Sequence, residues 1–259
     1  MAADLDADTR RSLFQFLLRL ADERLILGHR LSQWCGHAPI LEEDIALANI
    51  SLDCLGQATA LLRLAGRAES RGRSEDDLAY FREAVDFRNV LLVEQPNRDF
   101  AFTMARQFFF DAHGYALYEA LQSSAYPPLA AIAAKAFKEI SYHLRHSSQW
   151  MLRLGDGTRE SHQRAQKAID DLWRFTGELF DADPLEKHLK DREFVPDRQT
   201  LQAQWRALVA EVLGKATLQL PDDNCYMVRG GYLGNHSEHL GHLLAEMQIV
   251  ARSFPTAKW

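Results

Sequence analysis

Apolar residues recur along most of this chain at the three-to-four-residue spacing of an α-helix, not at the alternating spacing of a strand. β-branched residues are sparse outside short runs such as 90–93. The spacing predicts four helices of more than about twenty residues. They cover 8 or 9 to about 34, about 42–64, the segment after 97 to about 124, and the segment after 126 to about 154. Long helices joined by short connections favour a bundle, so we expect an all-α fold.

Shorter helices are expected around this bundle. The pattern predicts them at about 74–88, 159–179, 198–217 and 236–253, with a loop at 66–74 and a surface excursion at 181–196. We therefore expect a single helical domain over residues 1–259. Its core bundle would occupy about 8–154, with additional C-terminal helices at about 158–253 packed outside that core.

Composition excludes several classes of protein. The chain has 259 residues, of which 47% are hydrophobic, so it can bury a sizeable core. A net charge of −6 without a long basic run argues against nucleic acid as a partner. Cys35, Cys54 and Cys225 are widely spaced, which predicts reduced thiols and no disulfide.

The sequence predicts neither a secretory signal nor a membrane-spanning helix. Residues 1–6 are acidic, whereas a secretory signal starts with a basic segment followed by an apolar one. No apolar run approaches the roughly 18 residues that a membrane span requires. We expect a cytoplasmic protein without a membrane partner.

Each long predicted helix carries an acidic residue at a position where a di-iron bundle would place a ligand. In such bundles two helices each supply a Glu-x-x-His pair, and the other two each supply a carboxylate. The matching acids here are Asp22 or Glu23, Asp53, Asp111 and Glu139. The positions that should hold histidine, three residues after Asp53 and Glu139, hold Gly56 and Tyr142. We therefore predict vestigial ligand positions and no metal, no catalytic residue and no cofactor site in this chain.

These acids still require neutralisation if they are buried. Lys135, Lys138, Arg106 or raised pKa values are the candidates that the sequence offers. Asp53 lies in a predicted helix that is apolar on all sides, with Asn49 and Gln57 one turn away, so it is expected to be buried. Asp22, Glu23 and Glu139 also fit ordinary exposed helix acids.

Two other functions stay open on the residues alone. One is a di-iron carboxylate oxidase in its own right that uses Asp53, Asp111, Glu139 and His143, although His143 follows Glu139 by four positions, not three. The other is a homo-oligomeric helical scaffold.

Weaker motifs are interpreted as structural. His236 and His239 are three residues apart, a spacing that an adventitious zinc ion accepts, but a partly buried, capped helix start is the favoured interpretation. Residues 229–231 predict a flexible turn, and Phe108 to Phe110 are expected in the core or an interface.

Several stretches of this chain resemble the C subunits of bacterial phenylacetyl-CoA epoxidases. The resemblance is carried by 31–58 (LSQWCGHAPILEEDIALANISLDCLGQA), 91–118 (LLVEQPNRDFAFTMARQFFFDAHGYALY), 135–158 (KAFKEISYHLRHSSQWMLRLGDGT), 172–183 (LWRFTGELFDAD) and 237–248 (SEHLGHLLAEMQ). Together these stretches span nearly the whole chain.

The resemblance implies a ferritin-like, non-catalytic structural subunit that pairs with a homologous di-iron A subunit, in a complex of two A and two C chains. It further implies a small bridging B subunit and a reductase that holds flavin and an iron–sulfur centre and takes electrons from NADPH. The complex is implied to insert one oxygen atom of O2 across the aromatic ring. The isolated chain would be a monomer or a homodimer. We expect the first helices and the aromatic-rich third helix to contribute to the partner-facing surface.

Overall fold

A computed structural model describes residues 5–222 and 224–257, so residues 1–4 of the acidic N-terminal segment lie outside the described residues. Within those ranges the chain forms ten α-helices, three short 3-10 helices and no strand, which confirms the expected all-α class. The α-helices are α1 Ala7–Ser32, α2 Leu41–Glu69, α3 Glu75–Tyr80, α4 Leu91–Glu94, α5 Phe100–Leu121, α6 Pro127–Gly155, α7 Arg159–Trp173, α8 Pro184–Lys190, α9 Arg198–Lys215 and α10 Glu238–Ser253. The 3-10 helices are Ala84–Asp86, Gly177–Phe180 and Gly231–Leu233.

The four long helices are those that the periodicity predicts. They are α1, α2, α5 and α6, with 26, 29, 22 and 29 residues. The start of α1 differs slightly, because Asp6 is the N-cap in place of Asp8 or Thr9. Its carboxylate accepts a hydrogen bond from the Thr9 backbone N–H at 2.8 Å.

The loop predicted at 66–74 starts late, since α2 continues to Glu69. Gly66 marks a close approach, not a helix end: a Cβ built there would lie 2.5 Å from the Arg73 carbonyl oxygen. The helix ends instead where Ser70 adopts a left-handed conformation, with φ of 60°.

Two of the shorter helices end earlier than predicted. α3 stops at Tyr80, and the following segment turns so that the Arg82 side chain donates to the Leu78 carbonyl. α7 stops at Trp173, whose carbonyl accepts from the Thr176 hydroxyl at 2.8 Å. The excursion predicted at 181–196 contains the helix α8, which Asp183 caps.

The chain folds into two compact units. Unit one combines the residues up to Pro96 with those from Gly230 onward, and unit two is Asn97–Arg229. The expected single domain with its core bundle at about 8–154 remains a prediction.

In unit one, α1 packs closely against α2. A Cβ at Gly28 would lie 3.2 Å from Cys54 Cβ and from the Ser51 carbonyl oxygen. The Ser51 hydroxyl donates to the Gly28 carbonyl at 2.7 Å, which fixes this crossing. α10 belongs to the same unit, where the Gln248 amide donates to the Ala79 carbonyl at 3.2 Å.

In unit two, α5 packs against α6, α7 and α9 and is therefore buried almost throughout. An aromatic cluster fills this core. The Trp173 and Trp205 rings stack with centroids 5.5 Å apart, and Phe109 lies 5.7 Å from Trp173. The Trp205 Nε1–H donates to the Phe109 carbonyl at 2.9 Å, so the indole is both packed and satisfied.

Candidate functional site

Asp22, on α1, is fully buried and bound to an arginine of unit one. Arg82 donates to both of its carboxylate oxygens, with an Nη1–Oδ2 distance of 2.9 Å, and the Arg88 backbone N–H donates to Oδ2 at 2.9 Å. The Arg82 guanidinium also lies 4.2 Å from the centroid of the Phe87 ring. A buried carboxylate is retained when an opposite charge and additional donors satisfy it, and here both are present.

Glu23, the neighbouring acid, points to a different partner. It is 3% exposed, and the Tyr232 hydroxyl donates to its Oε1 at 3.0 Å. The Arg19 guanidinium lies 4.5 Å from the centroid of the same Tyr232 ring. The alternative expectation, that Asp22 and Glu23 are exposed surface acids, is therefore wrong.

Asp53 is only partly buried, so the sequence overestimated its burial. On α2, Asn49 is exposed, Asp53 is partly buried and Gln57 is buried. The line of these three polar residues therefore runs from the surface into the core. Gly56 is exposed, and a Cβ built there would meet nothing within 4 Å. The i+3 position of α2 therefore opens to the surface of the chain.

Asp111, on α5, is fully buried and binds neutral donors in unit two. The Gln107 Nε2 donates to its Oδ1 at 2.7 Å, and the Ser147 hydroxyl donates to its Oδ2 at 2.8 Å. Gln107 lies one turn before Asp111, as the sequence suggested. Ser147, on α6, lies one turn beyond His143.

The other α6 positions face different environments. His143 is fully buried and Glu139 is partly buried. Tyr142 is 44% exposed, and its ring lies nearly parallel to the His146 ring with centroids 6.4 Å apart.

The three basic residues that the sequence offered as counter-charges lie elsewhere. Lys135 and Lys138 are exposed, and Arg106 donates to the Asn97 side chain at 2.7 Å. Asp22 and Asp111 make the hydrogen bonds described above with other groups, and neutralisation of the acids by these three residues stays a prediction.

Two of the acids at the candidate ligand positions already have hydrogen-bond partners within their own units. Arg82 and the Arg88 N–H occupy the Asp22 oxygens, and Gln107 and Ser147 occupy those of Asp111. No group of three or more His, Cys, Asp or Glu side chains within 5–222 and 224–257 could hold a metal ion. Asp22 and Asp111 are therefore both hydrogen-bonded by groups of their own units.

The histidine pair at the start of α10 has a structural role. Ser237 is the N-cap of α10, and its backbone N–H and hydroxyl donate to Glu94 Oε2 at 2.9 and 2.6 Å. His236 binds the other oxygen of Glu94 through Nδ1, and its Nε2 lies 3.0 Å from the Phe87 carbonyl. The helix start is partly buried, as the sequence favoured, but the expected capping hydrogen bond is absent, because the Ser237 hydroxyl donates to Glu94.

The Glu94 carboxylate also controls the charge of His236. Burial alone lowers the pKa of His236, but the hydrogen bond and charge of Glu94, with a smaller effect of the Phe87 carbonyl, outweigh it and raise the pKa above its usual value. Asn89 donates to Glu94 Oε1 at 3.0 Å, so Glu94 links α4 to the start of α10. Sequence reasoning missed this acid, although its place at the end of the apolar run 90–93 was a usable signal.

Unit two also contains a buried ion pair, between Arg198 and Glu186, that involves none of the candidate ligand positions. Arg198 donates to both oxygens of Glu186 at 2.6 Å, and its Nη1 donates to the Leu179 carbonyl at 2.8 Å. The same Nη1 lies 3.1 Å from His113 Nε2. At the edge of this unit Arg229 pairs with Asp181.

Several large apolar side chains are exposed in the described part of the chain, and three of them lie on α2. Leu41, Ile45 and Leu52 are 72%, 55% and 65% exposed. Their spacing of four and seven residues places them on one face of the helix, and we call these three residues the α2 stripe. The expectation that α2 is buried on all sides is wrong.

The aromatic run of α5 lies inside the chain. Phe108, Phe109 and Phe110 are 0%, 0% and 1% exposed, which confirms a core role. The expectation that α5 contributes to a partner-facing surface stays a prediction, but these three rings are not exposed in the chain.

By length and composition α2 is also sufficient to cross a membrane, contrary to the expectation from the sequence, and 44% of its most apolar window is buried within the protein. Core helices of soluble proteins meet the same criterion, so this is weak support for a span. None of Cys35, Cys54 and Cys225 is joined in a disulfide in the part of the chain that the structure describes.

Comparisons with known proteins agree on one family. The family described as Phenylacetic acid catabolic protein matches residues 1–259. A relative from Escherichia coli (strain K12), named as the C subunit of 1,2-phenylacetyl-CoA epoxidase, is 51% identical over 247 residues, which cover 95% of this chain and 99% of the relative. The resemblance and the ferritin-like, all-α fold class are thereby confirmed. This chain belongs to the phenylacetic acid catabolic protein family.

Proposed function

We propose that this chain is the non-catalytic structural subunit of a phenylacetyl-CoA epoxidase and acts in aerobic phenylacetate catabolism. The 51% identity to an epoxidase C subunit, across nearly both full lengths, supports the assignment to this complex. The proposal that the chain is non-catalytic rests on one observation: the buried acids Asp22 and Asp111 bind protein donors of their own units.

Such contacts are hard to exchange for a metal. A carboxylate that already binds a guanidinium and a backbone N–H would have to share its charge with a metal, and the buried guanidinium would lose part of its counter-charge. The positions that should supply histidine are Gly56 and Tyr142, which offer no imidazole. The acids are thus suited to holding helices in place.

The chemistry then belongs to partner subunits. In this proposal a homologous A subunit holds the di-iron centre, and the complex contains two A and two C chains and a small bridging B subunit. A reductase with flavin and an iron–sulfur centre delivers electrons from NADPH, in the cytoplasm.

The α2 stripe is the surface that we assign to the A subunit. Three large apolar side chains on one helix face are costly to leave in water, and obligate interfaces between subunits are rich in such residues. Gly56 lies near this face with open space around it, which permits close approach of a partner helix.

The central experiment is co-expression of the chain with the A subunit, followed by metal analysis of each separated chain and an assay of phenylacetyl-CoA epoxidation. We expect iron in the A chain only, and turnover only when both chains and the reductase are present. About two irons per molecule in this chain purified alone, together with turnover by it, would refute the proposal and favour the oxidase alternative. A homo-oligomer that ignores the A subunit would refute it in favour of the scaffold.

A further inference from the structure

An arginine-lined groove lies between the start of α1 and the end of α2 in unit one. Its volume is about 440 Å³, within the range of small-molecule sites. The charged residues of its lining are Arg10, Arg11, Arg71, Arg73 and a single acid, Glu69. The chain as a whole carries a net charge of −6, so the charge of this groove is opposite in sign to that of the whole chain.

Internal ion pairs orient part of this cluster without neutralising it. Arg73 binds both oxygens of Glu69, with an Nε–Oε2 distance of 2.7 Å, and the same carboxylate lies 4.0 Å from Arg71. Outside the lining, Asp8 accepts from Arg11 at 2.7 Å. Four guanidinium groups therefore face two carboxylates even when Asp8 is counted, and a positive surplus remains.

Arg10 and Arg71 supply the donors for a ligand. The Nε of Arg10 is buried and has no hydrogen-bond partner among the described residues. A buried donor left in that state is costly. Because this nitrogen is closed to solvent, an anion in the groove would bind it only after the Arg10 side chain turns, a movement that the cost of the unpaired donor favours. The Arg71 side chain is 79% exposed, so its guanidinium is accessible from solvent.

The floor of the groove is apolar. Phe14, Ala7 and Ala68 belong to the lining, and the Arg73 guanidinium lies 5.8 Å from the centroid of the Phe14 ring. An isolated inorganic anion uses neither this floor nor this volume. A ligand that combines a phosphate with an organic part uses both.

We propose that this groove binds an organic phosphate, with the phosphate held by Arg10 and Arg71 and the organic part packed against Phe14. Guanidinium groups suit phosphate because their planar donor fork matches its oxygens. The inference stands apart from the proposed function, since it concerns binding by this chain alone.

The test is calorimetric titration of the purified full-length chain at low salt. The probes are adenosine 3′,5′-bisphosphate, coenzyme A, ribose 5-phosphate, adenosine and inorganic phosphate. We expect one molecule of bisphosphate per chain, and weaker binding at higher salt because the contacts are ionic. Equal binding of ribose 5-phosphate would identify a sugar phosphate as the ligand, and preference for the bisphosphate and coenzyme A would identify a nucleotide. Both results support the proposal.

Single variants assign the binding to the groove. Arg10→Gln and Arg71→Gln should each weaken binding about tenfold, as expected for one charge-assisted hydrogen bond. Arg145→Gln removes an exposed arginine of α6 and should leave binding unchanged. Because Arg71 is largely exposed, its replacement should not affect folding, which a thermal melt verifies.

Three results would overturn the proposal. They are the absence of binding by any organic phosphate, equal affinity of the wild type and Arg71→Gln, and binding of inorganic phosphate or adenosine as tight as that of the bisphosphate. The last would mean that the groove recognises an isolated anion or an aromatic ring. None of these results bears on pairing with an A subunit.

Discussion

At the scale of single residues, Arg82 connects three segments of unit one. Its guanidinium binds Asp22 on α1, its Nε donates to Leu78 on α3, and its Nη1 donates to the Asp86 carbonyl at 3.0 Å. One side chain therefore ties α1 to the turn that ends α3. Removal of its counter-charge should loosen all of these contacts together.

Asp22→Asn should destabilise the chain by about 3–5 kcal/mol, because the Arg82 guanidinium would stay buried without a counter-charge. Urea unfolding followed by circular dichroism measures this change. The control is Glu160→Gln, which removes the exposed partner of Arg164 and should cost less than about 0.5 kcal/mol. Equal effects of the two variants would contradict the structural role of Asp22.

The His236–Glu94 contact should make stability depend on pH. The pKa of His236 is raised in the folded chain, so its contribution is complete below the unfolded pKa of about 6.5 and is lost as pH rises through the folded value. The wild type should therefore exceed His236→Gln in stability most at pH 6, and the difference should shrink toward pH 9. Urea midpoints of both proteins across this range test the sign, and a difference that grows with pH would contradict it.

The sequence identified the acids of the candidate site but few of their partners, and the reason is distance along the chain. Arg82 lies 60 residues from Asp22, and Tyr232 lies 209 residues from Glu23. No local pattern relates residues so far apart. Gln107, one turn from Asp111 on the same helix, was the partner that helical spacing could indicate.

At the scale of elements, the glycines of the long helices divide into two kinds. A Cβ at Gly155, in the last turn of α6, would lie 2.1 Å from the carbonyl oxygen of Ala216 at the end of α9. A Cβ at Gly56, within α2, would meet nothing within 4 Å. Gly155 is needed for the close packing of α6 against α9. Gly56 has no such role within the chain and lowers the stability of α2 relative to alanine.

Gly155→Ala should destabilise the chain by at least about 1–3 kcal/mol, since α6 and α9 would have to separate. Gly56→Ala should stabilise it by about 0.5–1 kcal/mol through helix propensity. Thermal unfolding of both variants beside the wild type measures the two effects. If Gly155→Ala proved neutral, the close contact between α6 and α9 would be in error.

Helix existence was predictable and helix ends were less so. The four long helices follow from apolar spacing, a property of each segment alone. α2 ends at the left-handed Ser70, which no periodicity marks, and the segment after α3 is held by Arg82, whose contact with Asp22 is tertiary. α8 was missed because its seven residues are too short a pattern to show periodicity.

At the scale of the whole molecule, the α2 stripe is an apolar surface that the isolated chain leaves in solvent. The double variant Ile45→Lys/Leu52→Lys should abolish co-purification with the A subunit, because two buried charges would face an apolar interface. Its thermal stability should stay close to that of the wild type, since both side chains are exposed in the isolated chain.

Ile249→Lys is the matched control for this variant. Ile249 lies on α10 and is 60% exposed, so the change in chemistry is the same on a different helix. We expect normal co-purification of the control. Retention of the A subunit by the double variant, or equal loss in the control, would contradict the assignment of the α2 stripe.

Unit one is assembled from two separated stretches of polypeptide, whereas unit two is continuous. The side chains of His236 and Ser237 reach Glu94 only after the ribosome has produced the whole of unit two. During translation, the surface of α1 to α4 that contacts α10 therefore stays exposed to solvent until α10 has been synthesised. Premature termination after residue 229 would leave unit one without α10 and with that surface exposed, which favours degradation by proteases.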